Sequence, residues 1–147
     1  MWGVRGGNPE NAGAERLRRH SARGVLGMKA NRVLVLEDSL IIAMEAEDIL
    51  RQVGVETISI VSGLEQAMEV TKTEAFDFAL LDVNLGEVMS FDFARHLSRV
   101  NIPFGFVSGY SDTKDFPEDL RNVPLLVKPF GESAMRDFLQ KLFPADA

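Results

Sequence analysis

Four short apolar runs, each ending on a polar residue, constrain this chain most. Val33-Leu34-Val35-Leu36 is followed by Glu37-Asp38, and Phe78-Ala79-Leu80-Leu81 by Asp82. Phe104-Gly105-Phe106-Val107 is followed by Ser108, and Val123-Pro124-Leu125-Leu126-Val127 by Lys128. If these runs are parallel strands, all the polar groups emerge together at the carboxyl edge of one sheet, where open α/β sheets carry their chemistry. Three carboxylates, a hydroxyl and an ammonium group converging there make a site for a divalent cation and a phosphoryl group. Hard oxygen ligands suit Mg²⁺, and a lysine supplies a point charge for phosphate.

Between the runs the pattern alternates strand and helix. Residues 32–36 have the continuous apolar character of a central strand covered on both faces. Asp38 is placed to cap a helix over about 39–53 that buries Leu40, Ile41, Met44 and Val53 and stops at Gly54. Val55 to Val61 alternates like an edge strand, and Ser62-Gly63-Leu64-Glu65 has the form of a capping box opening a helix that runs to about Thr73. A third strand spans 77–81. A helix near 90–100 then carries Phe91, Ala94, Leu97 and Val100 at helical spacing. The fourth strand covers 103–107, Pro117 permits a short helix at 117–121, and the fifth strand covers 123–127. The last helix, 132–143, buries Met135, Phe138, Leu139 and Leu142. Five βα units predict a doubly wound, flavodoxin-like α/β fold whose five-stranded parallel sheet has the order 2-1-3-4-5.

Composition decides where this domain begins. Of 147 residues 46% are hydrophobic and 26% charged, ordinary for a globular chain, and no run approaches the length needed to span a bilayer. Cysteine is absent, which excludes disulfides, thiolate zinc sites and thiol nucleophiles. Residues 1–27 carry five Arg against two Glu, a net +3, while the remainder is net −9. The glycine-rich first segment cannot bury enough surface to order itself, so residues 1–30 are expected to be a disordered basic arm and residues 31–147 the folded domain. Met28, just ahead of the first strand, is an alternative physiological start. The arm has no apolar signal-peptide core, and the acidic domain disfavours direct contact with nucleic acid. A cytoplasmic location without membrane insertion is expected.

Leu36-Glu37-Asp38, Leu80-Leu81-Asp82-Val83-Asn84-Leu85, Ser108-Gly109-Tyr110 and Val127-Lys128-Pro129-Phe130, in this order and on these elements, resemble the receiver domains of two-component response regulators. The resemblance covers about residues 31 to 143. The stretch Pro103 to Tyr110 is further similar to a stress-associated alphaproteobacterial subgroup of single-domain regulators with a Phe-x-Ser/Thr-Gly-Tyr motif.

The resemblance implies a role for each site residue. Asp82 is the nucleophile that accepts a phosphoryl group as an aspartyl phosphate. Asp38 ligates Mg²⁺ directly and Glu37 through water; Asp82 and the backbone carbonyl of Asn84 complete the protein's ligands. Lys128 neutralises one phosphoryl oxygen and Ser108 donates a hydrogen bond to another. A cis Lys128-Pro129 bond is implied as well. Asn84 and Tyr110 flank the approach of the hydrolytic water, so Tyr110 is expected to slow loss of the phosphoryl group. Leu125 stands where receivers usually carry an aromatic ring. Activation is therefore expected to depend on Ser108 and on rearrangement of 110–121, without an aromatic swing at 125. The short intervals between the motifs predict abbreviated third and fourth helices.

Taken singly, each group has an ordinary explanation: Glu37-Asp38 as a helix cap, Asp82 and Ser108-Gly109 as turns, Lys128-Pro129 as a strand exit. Four matching groups at four strand ends are not explained that way. Phe91, Phe93, Phe138 and Phe143 are assigned to packing and His96 to a helix surface. The expected upstream partner is a histidine kinase or phosphotransferase docking largely on the first helix. A protein target is expected on the face built by the fourth helix, fifth strand and fifth helix. With no sequence after Ala147 for an output domain, a stand-alone regulator is expected, one that catalyses only its own phosphorylation and dephosphorylation. Two alternatives stand: a pseudo-receiver that never takes phosphate, and a phosphohydrolase of the haloacid-dehalogenase type. The latter needs a second acid two residues after its nucleophile, where this chain has Asn84.

Overall fold

The computed structural model describes residues 31–110 and 113–143; the basic arm assigned to residues 1–30 lies outside the described residues. The elements are β1 (Arg32–Leu36), α1 (Leu40–Gln52), β2 (Thr57–Val61), α2 (Leu64–Thr73), β3 (Phe78–Asp82) and α3 (Phe91–Arg99), followed by β4 (Phe104–Ser108), a 3-10 turn (Glu118–Leu120), β5 (Leu125–Val127) and α4 (Glu132–Leu142). All five strands pair in parallel, in the order β2-β1-β3-β4-β5. This is the doubly wound α/β topology that the alternation predicts.

The sheet separates two cores because alternate strand residues face opposite sides. Leu34, Leu36, Ala79, Leu81, Phe104 and Phe106 pack with Ala67 of α2 and Phe93, Ala94 and Leu97 of α3. Val33, Val35, Phe78, Leu80, Val107 and Leu126 pack with Ala43 and Leu50 of α1 and Met135, Phe138 and Leu139 of α4. The assigned packing phenylalanines take these places, Phe143 meeting Phe78 edge-on at 5.6 Å. His96 stacks on Phe93 at 5.7 Å and reaches Thr71 Oγ1 at 3.3 Å, so it joins α3 to α2 and is more than a surface residue.

Helix α1 corrects the sequence reading twice. Its N-cap is Ser39, whose Oγ accepts from the Ile42 N–H, and not Asp38. Its buried stripe is Ala43, Ala46 and Leu50, continued by Val53, whereas Leu40, Ile41 and Met44 are 67%, 72% and 53% exposed. Small alanines let the helix backbone lie close to the sheet, and that approach turns the larger side chains outward. The helix ends as expected at Gly54, whose φ of 106° suits glycine. Gly54 N–H donates to the Arg51 carbonyl and Val55 N–H to that of Leu50, a Schellman closure that keeps Val55 with the helix and delays β2 to Thr57.

Two other local expectations shift. The N-cap of α2 is Gly63 with no side-chain bond, so the Ser62–Glu65 capping box is not formed. Between β4 and β5 the only helical element among the described residues is the 3-10 turn, and β5 itself is reduced to three residues. The expected fourth-helix face is thus a single turn beside β5 and α4. Arg95 clamps that turn to α3 through a forked pair with Asp119, Nε to Oδ2 at 3.0 Å and Nη2 to Oδ1 at 3.2 Å.

Candidate functional site

Parallel register brings the strand ends level. Leu36 pairs with Leu81, Asp82 with Val107, and Ser108 with Val127. The residues that follow therefore meet at one edge, although they come from distant parts of the chain. Carboxylate oxygens of Glu37, Asp38 and Asp82 all lie within 4.8 Å of one another. Glu37, Asp82 and Ser108 are buried, 4%, 5% and 8% exposed, while Asp38 faces solvent. Ser39 takes over the capping role, which leaves the Asp38 carboxylate available to the cluster.

Lys128 Nζ lies 3.3 Å from Asp82 Oδ2 and 3.4 Å from Glu37 Oε1. One cation thus bridges the two buried carboxylates. The Lys128-Pro129 bond is cis, as the resemblance implies, and Lys128 N–H donates to the Ser108 carbonyl at 2.8 Å, which ties the strand exits together. Glu37 Oε2 accepts from the Ser39 N–H at 3.1 Å. Burial is the main reason the Glu37 carboxyl rises to about 7, helped by hydrogen bonding and repulsion from Asp82 and opposed by the Ser39 N–H and Lys128. Closely packed like charges resist ionising together, and an added cation removes that resistance.

The β3–α3 connection is a tight hairpin. Asn84 Oδ1 accepts from the Gly86 N–H at 2.9 Å, and Leu85 N–H donates to the Val88 carbonyl at 2.9 Å. Gly86 has φ 88°, the left-handed region that favours glycine. The turn holds Asn84 beside Asp82, whose Oδ1 accepts from the Asn84 N–H at 3.4 Å. Ser108 Oγ accepts from the Tyr110 N–H at 3.1 Å, so the hydroxyl proton remains free to be donated. Tyr110 borders the site and is 78% exposed. Leu125 opens β5, half-buried, and pairs with Phe106.

These groups line a cleft of about 660 Å³. Sequence reasoning missed part of its lining: Ser39, Ile42, Met89 and Phe116 border it, as does Phe91, which was assigned to packing alone. Only the position of Ser39 beside a strand end was a usable signal.

The family profile described as response regulator receiver domain matches residues 33–141. The chain belongs to the response regulator receiver domain family. Solved receiver structures agree. SdrG from Pseudomonas melonis Fr1, in its BeF3-activated conformation, is 33% identical, with TM-score 0.68 over 78% of this chain and 98% of that one. The PhyR receiver domain of Erythrobacter litoralis is 28% identical, with TM-score 0.65 over 77% of this chain and 89% of that one. CheY4 of Vibrio cholerae shares the fold at 22% identity, with TM-score 0.67 over 77% of this chain and 98% of that one. No curated protein sequence matches the chain. Receivers are signalling modules that interact with kinases and effector targets. Among the described residues no helix is long and apolar enough to cross a membrane.

The donor set of this receiver fits a hard divalent cation: three carboxylates whose oxygens lie within reach of one another. If Glu37 takes part in holding the ion, its carboxyl must give up its proton and affinity rises with pH. With the Glu37 carboxyl at about 7, apparent Mg²⁺ affinity is expected to increase about tenfold from pH 6 to pH 8. Calorimetric titration at both pH values checks this, and a flat affinity would contradict the assignment of Glu37 to the site.

Proposed function

We propose that this receiver accepts a phosphoryl group on Asp82 from a histidine kinase or phosphotransferase and signals through protein contacts. The observation that carries the reading is the position of Asp82. It is a buried carboxylate with a lysine ammonium at 3.3 Å and two further carboxylates within 4.8 Å, in a cleft open to a donor. An Asp82 oxygen attacks phosphorus, the bond from phosphorus to the donor breaks, and the leaving group departs with the electron pair. Lys128 meets one phosphoryl oxygen. Ser108 donates its free proton to another. Glu37, Asp38, Asp82 and the Asn84 carbonyl would hold Mg²⁺, which supplies positive charge against the carboxylates and the incoming phosphoryl group.

Two features of α1 favour it as the kinase-facing element. Leu40, Ile41 and Met44 form an exposed apolar patch at its start, next to Asp38, and exposed Glu45 and Asp48 follow on the same helix. The higher identity to SdrG and PhyR than to CheY4, together with Phe106-Val107-Ser108-Gly109-Tyr110, supports placement in the stress-associated subgroup. The known BeF3-activated form of SdrG suggests the test. Beryllofluoride with Mg²⁺ is expected to shift the backbone amide resonances of Asp82, Ser108 and residues 113–121 in wild type and to leave them unmoved in Asp82→Asn. Absence of shifts in wild type would favour a pseudo-receiver.

A further inference from the structure

Resting on the receiver reading above, we infer that the cleft beside Asp82 contains an apolar pocket selecting phosphoryl donors that carry an aromatic acyl group. A phosphoryl group and a hydrated divalent ion together take up about six water-sized volumes, roughly 200 Å³. The cleft measures about 660 Å³, so most of it is not accounted for by that chemistry. Its apolar walls include Ile42 from α1, Val83 and Met89 from the β3–α3 connection, Phe91 from the start of α3, Tyr110 and Phe116.

The Phe116 wall is fixed in place. Its ring lies 5.3 Å from that of Phe91 and 5.5 Å, edge-on, from that of Phe106. Its N–H donates to the Thr113 carbonyl at 2.9 Å, and its carbonyl accepts from Arg121 Nε at 3.1 Å. Phe106 and Phe116 are themselves 0% and 8% exposed and so back the pocket, while the surface a bound ring would meet is that of Met89, half-buried Ile42 and Phe91, and exposed Tyr110. Exposed Asp115 also borders the cleft and disfavours a guest with a second negative charge. A neutral aromatic group directly attached to the reacting phosphate fits both conditions.

The step balances without a further reactant. An Asp82 oxygen forms a bond to phosphorus, the bond from phosphorus to the acyl oxygen breaks, and the aromatic carboxylate leaves with that electron pair.

Benzoyl phosphate and acetyl phosphate are suitable probes because their leaving carboxylates are of similar acidity, and hydrolysis in buffer alone corrects for residual differences in reactivity. Phosphoryl uptake by the full chain, with Mg²⁺ and subsaturating donor, is followed by intact mass. Burial of the phenyl ring should make benzoyl phosphate about tenfold faster than acetyl phosphate. The ratio of the two rates should fall towards one in Met89→Gln, a residue that is 46% exposed, and in Phe116→Leu. A ratio is insensitive to any loss shared by both donors, including partial unfolding. Equal rates in wild type, or a preference unchanged in both variants, would overturn the pocket while leaving the receiver reading intact. Uptake from neither donor would overturn that reading, and the pocket with it.

Discussion

Lys128→Ala is expected to slow phosphoryl uptake on Asp82 by about a hundredfold, the usual effect of removing one charge stabiliser from a transferring group. Mg²⁺ binding, measured at a pH well above the Glu37 titration so that this carboxylate is ionised with or without Lys128, should not weaken. Lys128 Nζ sits 3.3 Å and 3.4 Å from the Asp82 and Glu37 carboxylates, so its removal takes away a competing cation and no metal ligand. It also removes an interaction that pulls the Glu37 carboxyl down, which should carry the Glu37 titration to higher pH. Labelling kinetics beside calorimetric Mg²⁺ titration separate the two functions. Equal losses in both would show that Lys128 holds the site together and does not act on the phosphoryl group.

Gly105→Ala should be the most damaging one-methyl change in the sheet. A Cβ at position 105 would overlap the Phe138 ring and come within 3.0 Å of the Pro124 carbonyl oxygen. Phe138 is 2% exposed and enclosed by its core, and the Pro124 carbonyl already accepts from Phe106 N–H, so neither neighbour can give way freely. Overpacking of this kind costs about 2 kcal/mol. Urea unfolding should show that loss, and the double variant Gly105→Ala with Phe138→Leu should recover part of it. Unchanged stability in Gly105→Ala would contradict the described packing of α4 on β4.

The strands and the residues at their ends were legible because both signals are local. Val33 to Leu36 and Phe78 to Leu81 are unbroken apolar runs, and the polar residue that follows each one must leave the sheet at its edge. Parallel pairing then does the rest. The outward face of α1 was not legible. Leu40, Ile41 and Met44 look like a core stripe by hydrophobicity, and the alanines that actually face the sheet carry a weak signal despite permitting the closest approach. The cap failed for a related reason, since Asp38 and Ser39 are both good N-cap residues one position apart. Nothing local in the sequence marks the cleft walls: Ile42, the Met89-Ser90-Phe91 stretch and Phe116 belong to three separate segments that meet only after folding. Phe116, just ahead of Pro117 in an irregular stretch, gains its position from long-range ring contacts.

The receiver fold does not by itself demonstrate phosphoryl transfer, because a pseudo-receiver would keep the same sheet. The most direct measurement is the intact mass of the chain after incubation with Mg²⁺ and acetyl phosphate, for wild type and Asp82→Asn in parallel. Wild type is expected to gain one phosphoryl group, mapped to Asp82, and Asp82→Asn to gain none. Normal labelling of Asp82→Asn, or no labelling of wild type, would contradict the account.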